Sequence, residues 1–211
     1  MSEPPPAAPV VAAFDVDGTL TTRDCVTPFL WRTARFKAAL ALVRHPWTVV
    51  GAVARRDRDR LKEVVCTAFA GLDADALDAA GQEFAREVRR RWLRDDTVAR
   101  LQRHRELGHR VVLASASLEP YLAPFGQLLE VDGVVCTRLE RGPDGRLTGR
   151  LDGPNCRGAE KARRLEQWLV TQGLTGASLW AYGDSPGDAE LLALADHPVW
   201  VDDAPLAAEP A

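Results

Sequence analysis

This 211-residue chain lacks three things, and each absence narrows what it can be. It has four cysteines, Cys25, Cys66, Cys136 and Cys156, but no C-x-x-C pair, so neither a zinc site nor a disulfide framework is indicated and reduced thiols are expected. It has no apolar run near the roughly 20 residues that span a bilayer. The two most apolar stretches, 36–43 and 47–54, are separated by Arg44, His45 and Pro46, and read as buried faces of helices, with the six tryptophans read as packing residues. It has no excess of positive charge: 27 Lys and Arg stand against 30 Asp and Glu, a net charge of −3, which argues against nucleic acid as a partner. The alternating run 55–60 reads as a solvated turn or helix start. Residues 1–9 lack the basic start and apolar centre of a secretory signal and read as a disordered, proline-rich arm, so the cytoplasm is the expected compartment.

What the chain does have begins at Val11. An apolar β run ends in Phe14-Asp15-Val16-Asp17-Gly18-Thr19. Residues two apart on a strand share a face, so Asp15 and Asp17 converge. Two adjacent carboxylates repel unless a cation sits between them, and hard oxygen ligands suit Mg2+. Such a pair can also divide covalent catalysis, one carboxylate attacking and the other moving protons. The plainer alternative is a solvated Asp-x-Asp-Gly turn.

Three later segments stand out, two of them apolar runs that break into polar residues. Arg110 to Ala114 leads into Ser115-Ala116-Ser117, with a helix expected from about Glu119-Pro120; a strand-to-helix turn of this kind offers N–H groups and a hydroxyl to an anion. Gly158 to Leu165 begins a helix with Lys161 near its start, a fixed cation that could offset nearby negative charge. Ser178 to Tyr182 breaks at Gly183-Asp184 and reaches Asp188. Singly, these would be a helix cap, a surface lysine and a capping turn.

The β runs at about 10–16, 110–114, 132–136, 178–182 and 198–201 alternate with helical patterns, which predicts an α/β fold: a Rossmann-like, doubly wound parallel sheet. Ligands in such sheets bind beyond the carboxyl ends of the strands, where these polar motifs fall. Residues 139–149, with a Pro143-Asp144-Gly145 turn, predict a hairpin decorating an edge. Residues 27–92 show helices broken at Pro46, near Asp57 and around 71–73. The expected division is a core of 10–25 and 95–205 with a helical cap, 26–94, inserted.

The ordered set of four motifs resembles the haloacid dehalogenase superfamily, over about residues 10–201, and within it subfamily IB, the phosphoserine-phosphatase-like branch. The resemblance implies a Mg2+-dependent phosphatase acting on a small phosphomonoester. Asp15 would be phosphorylated. Asp17 would serve as general acid and base and offer its main-chain carbonyl to the metal, which Asp15 and Asp184 also ligate. Ser115 and Lys161 would hold the phosphoryl group, Gly18 and Thr19 would complete the substrate-binding set, and Asp188 would support Lys161 or the metal's water. Asp24 stands where such phosphatases read a substrate amine, but it is equally a helix N-cap. Arg32 and Arg35 could meet a second anion. Two departures weaken phosphoserine itself: Gly187 replaces a frequent Asn, and Ala116-Ser117 replace a glycine pair. Phosphoserine and histidinol phosphate are the leading substrates. A lipid phosphate, admitted through a membrane-facing patch of the cap, is an alternative. So are a metal-binding module without turnover, and halide removal by the same aspartate.

Overall fold

The computed structural model describes residues 8–44, 46–55 and 57–206. Most of the arm expected at 1–9 lies outside them. Five parallel strands form one sheet in the order β3-β2-β1-β6-β7: β1 (Val10–Phe14), β2 (Arg110–Leu118), β3 (Gly133–Thr137), β6 (Ser178–Gly183) and β7 (His197–Trp200). The central strand β1 pairs with β2 on one side and β6 on the other. Because strand side chains alternate, β1 feeds two apolar clusters. Ala12 and Phe14 join one with Leu101 of α5 (Asp95–Glu106) and Leu122 and Phe125 of α6 (Glu119–Leu128). Val11 and Ala13 join the other with Leu165 of α7 (Ala159–Thr171) and Leu191 of α8 (Ala189–Leu194). Helices on both faces of a parallel sheet are the doubly wound arrangement that the alternating pattern predicts.

Between β1 and β2 run α1 (Val26–Arg44), α2 (Pro46–Arg55), α3 (Arg58–Cys66), a short 3-10 turn (Thr67–Phe69) and α4 (Ala74–Arg91). The breaks fall at Pro46, at Asp57, which caps α3 by accepting from Arg60 N, and at Asp73, which caps α4 by accepting from Ala76 N. This insert is not a separate globule. Phe29 of α1 packs its ring against Phe69, Phe84 of α4 and Tyr121 of α6, at centroid distances of 6.4, 5.3 and 4.8 Å. Helix α4 lies against the start of α6 so closely that a Cβ at Gly81 would stand 2.0 Å from the Pro120 carbonyl oxygen.

Three expectations need correction. First, β2 does not stop at Ala114. It continues extended through Ser115, Ala116 and Ser117 to Leu118, where it pairs with Thr137 after a shift in register. Second, the hairpin β4 (Leu139–Arg141) and β5 (Leu147–Leu151) decorates no sheet edge; it braces the insert. Gly71 N donates to Leu147 O at 2.8 Å, Leu147 N donates to Leu72 O at 2.9 Å, and Arg141 pairs with Asp78 of α4. Third, the stretches 36–43 and 47–54 bury only small alanine faces, not their bulky apolar side chains. From Ala34 onward α1 buries only Ala34, Ala38 and Ala41, and α2 buries only Ala52. Phe36, Leu40, Val43, Trp47, Val50 and Val53 face solvent, as do Trp31 and Trp200, so three of the tryptophans are not packing residues.

Candidate active site

The carboxyl ends of β1, β2 and β6 and the start of α7 meet at one place. Asp15 follows β1, with its N–H donating to Tyr182 O of the neighbouring strand at 2.9 Å. The chain then folds back: the N–H groups of Thr19, Leu20 and Thr21 all donate to Val16 O. Gly18 sits in this turn with φ +92°, where a Cβ would come within 2.2 Å of Asp184 Oδ2, so glycine answers both the backbone and the space. Thr19 Oγ1 donates to Asp184 Oδ1 at 3.1 Å, while Thr97 Oγ1 of α5 donates to Thr19 O at 2.7 Å. These bonds fix the β1 and β6 loops against each other.

Lys161, in the first turn of α7, is buried, and its Nζ donates to Asp15 Oδ1 at 2.7 Å and to Asp188 Oδ1. Asp188 is held in turn: its Oδ2 accepts from Ser185 N at 3.1 Å and Ser185 Oγ at 2.7 Å, a capping box around the 3-10 turn Pro186–Asp188. Asp17 points the other way. Its Oδ1 accepts from Cys25 N at 2.9 Å and its Oδ2 from Ser117 Oγ at 2.5 Å, and Tyr121 OH donates to Ser117 Oγ at 2.7 Å. Asp15, Asp17, Gly18, Asp24, Ser115, Lys161, Asp184 and Asp188 all line one cavity of about 630 Å³. Thr19 is buried beneath it.

The electrostatics follow from crowding. Burial, with Asp188 and Asp17 adding repulsion, pushes Asp15 up to about 7 despite Lys161. Burial also raises Asp17 and Asp184. For Lys161 burial opposes the ammonium, but Asp15 and Asp188 outweigh it and the pKa moves up. Oxygens of three carboxylates, Asp15, Asp184 and Asp188, lie within 4.8 Å of one another, and Lys161 pairs with only two of them, Asp15 and Asp188. Hard oxygen donors short of positive charge suit a divalent ion such as Mg2+. The Asp17 carboxylate lies outside that group, engaged with Ser117 and Cys25.

Other expected residues fall elsewhere. Ser115 lies within β2 rather than at a helix N-terminus, its Oγ accepting from Ser117 N at 3.1 Å. Asp24 behaves as a cap: its two oxygens accept from Val26 N and Thr27 N, each at 3.0 Å, though it borders the cavity. Arg32 pairs with Glu83 and Glu87, and Arg35 lies over the Phe36 ring, so neither reaches the cavity. Sequence reasoning missed Ser117, Tyr121, Lys62 and Arg157. Lys62 of α3 donates to Ala116 O, and burial lowers its pKa. Arg157 lines the cavity beside Gly187, where a Cβ would stand 2.7 Å from its Nε. The substitution of Ser117 for a glycine was the one visible signal.

With this geometry, comparison with known proteins is direct. The chain belongs to the haloacid dehalogenase-like hydrolases, whose family model matches residues 12–193. It is similar to Protein CicA of Caulobacter vibrioides, 35% identical over 190 residues, covering 90% of this chain and 84% of that one. A histidinol-phosphatase of Neisseria meningitidis is 35% identical over 104 residues, 48% of this chain and 47% of that one. Among solved structures, a protein of unknown function from Bordetella pertussis Tohama I superposes with a TM-score of 0.71 at 27% identity, covering 89% of this chain and 87% of that one. A phospho-aspartyl intermediate analogue of phosphoserine phosphatase gives 0.61 at 18% identity, covering 90% and 84%, a likeness of fold.

Proposed function

We propose that the chain is a Mg2+-dependent phosphomonoester hydrolase working through an aspartyl-phosphate on Asp15. The observation that carries this reading is the meeting of Asp15 and Lys161 at 2.7 Å in a cavity that Asp17 and Ser115 share. Asp15, Asp184 and the Asp17 main-chain carbonyl would hold the metal, with Asp188 beside them; when bound, it neutralises the carboxylates and the phosphoryl oxygens. Lys161 and Ser115 hold the phosphoryl group. An Asp15 oxygen attacks phosphorus while the bond to the leaving oxygen breaks, and Asp17 gives that oxygen a proton. Asp17 then takes a proton from water as it attacks phosphorus, which releases phosphate and restores Asp15. Burial raises Asp17 and so favours a carboxyl able to carry the proton it gives. Gly18 and Thr19 hold the loop that presents these groups, and residues 26–94 act as the cap that limits water.

The similarity to a histidinol-phosphatase makes histidinol phosphate a substrate to test first. Phosphoserine has less support, because Asp24 spends both oxygens on capping α1. No helix among the described residues is long and apolar enough to cross a membrane, and four buried free thiols fit the cytoplasm. The test is phosphate release from an aryl phosphate and a substrate panel, with and without Mg2+, by the native chain and by Asp15→Asn. Release that needs Mg2+ and vanishes in Asp15→Asn is expected. No release across the panel favours a metal-binding module, and halide release without metal favours a dehalogenase.

A further inference from the structure

The largest unexplained feature of the molecule is the apolar surface of α1 and α2. Among the described residues, eight of the eleven exposed large apolar side chains lie between Trp31 and Val53; Trp47 is 85% exposed, Phe36 78% and Val43 74%. Soluble proteins seldom show contiguous apolar patches without a partner for them. Helix α2 makes the case sharper, since it hides only Ala52 in its own protein.

Charge says what covers the patch. Residues 26–56 carry six Lys and Arg and no Asp or Glu, in a chain whose net charge is −3. Arg32 spends its charge on Glu83 and Glu87, but Arg35, Arg44 and Arg55 have no ion pair among the described residues. A second copy would set this basic surface against itself, since a two-fold interface repeats one patch. An anionic bilayer satisfies both halves of the pattern: apolar and tryptophan side chains enter the headgroup boundary while cations meet acidic lipids. At about 1.5 Å per residue the ten residues of α2 cannot cross a bilayer and are suited to lie in its plane.

The patch also joins the site. Leu42 is exposed on α1 and at the same time lines the cavity with Leu30, Leu61 and Val65, so an apolar wall leads from the surface toward Asp15. We infer that the α1–α2 face docks on an anionic lipid surface and that the substrate is a phosphomonoester of a lipid alcohol, its phosphate entering the cavity while its chains stay in the bilayer. The substrate half rests on the phosphatase reading; the docking half does not.

The test is co-sedimentation with phosphatidylcholine vesicles, with and without phosphatidylglycerol, together with hydrolysis of phosphatidic acid in vesicles and of a soluble aryl phosphate. Native chain and Asp15→Asn should both sediment with the anionic vesicles. The double variant Phe36→Asp, Trp47→Asp should bind at least tenfold less and lose phosphatidic acid hydrolysis to a similar degree, with aryl phosphate hydrolysis unchanged. Both side chains are exposed and neither lines the cavity, and light scattering with unchanged thermal unfolding will show the variant folded. Absence of native binding, equal binding to neutral vesicles, or a dimer that the double variant dissociates would overturn the docking. Binding without phosphatidic acid hydrolysis would overturn the substrate half. Failure of aryl phosphate hydrolysis itself would instead count against the phosphatase reading and leave the binding result standing.

Discussion

Replacing Gly81 by Ala separates two arguments that give opposite signs. Within an exposed helix, Gly→Ala stabilises by about 1 kcal/mol through backbone entropy. At Gly81, however, the new Cβ would stand 2.0 Å from Pro120 O, 2.4 Å from Pro120 C and 3.0 Å from Tyr121 N. A relaxed carbon–oxygen contact is about 3.3–3.6 Å. Helices α4 and α6 must therefore part by more than about 1 Å, and the obstacle is main chain that cannot rotate away. Overpacking of this kind costs about 1–3 kcal/mol, with the upper end expected here. The net effect is a loss of about 1–2 kcal/mol, or about 2–8 °C in Tm for a chain this long. Gly51→Ala on α2 is the matched control, because nothing lies within 4 Å of its Cβ and it should be neutral or stabilising. Thermal unfolding by circular dichroism reads both. A rise in Tm for Gly81→Ala would show that α4 does not rest on α6 as described.

Two further perturbations test the interior. Ser117→Ala removes a 2.5 Å donor from Asp17 Oδ2, and a hydrogen bond to a charged group is worth about 1.5–3 kcal/mol, so kcat on alkyl phosphates should fall about 10- to 100-fold. Tyr121→Phe should fall less, and aryl phosphates, whose leaving groups need little proton donation, should lose less in the first half-reaction, read as a burst; equal losses would mean that Ser117 does not aim the acid. His104 is buried and bonded to His109 and to Tyr182 OH, each at 2.8 Å, and burial lowers its pKa from 6.5 to about 4. A depressed histidine folds neutral, so its contribution is whole above pH 6.5 and is lost as pH falls toward 4. Chemical denaturation across that window should show the stability gap between native and His104→Gln closing as the medium is acidified. A constant gap would refute the assignment.

Much of the fold was legible because its signals are local. Short apolar runs that end at Asp15, Gly183 and the small residues after Ala114 announce strands whose ends face one way, and Pro46, Asp57 and Asp73 announce helix breaks. What was not legible depends on partners distant in sequence. Ser117 gains its role from Asp17, 100 residues away, and from a strand that runs on past its paired neighbour. The exposed face of α1 misled because hydrophobicity is read as burial, whereas the buried stripe is made of Ala34, Ala38 and Ala41, with the bulkier residues outside. The hairpin's sequence carries its turn but not its destination, which the contacts of Leu147 and Arg141 with the insert decide.

The shared aromatic cluster of Phe29, Phe84 and Tyr121 also bears on how such a protein can change over generations. Tyr121 is at once a wall for the inserted helices and, through Ser117, a support for Asp17. Exchanging the insert for one of another shape therefore reaches Asp17, to which we assign the proton transfers. New specificities are more cheaply explored beyond the kink at Ala34, where α1 has already left that cluster.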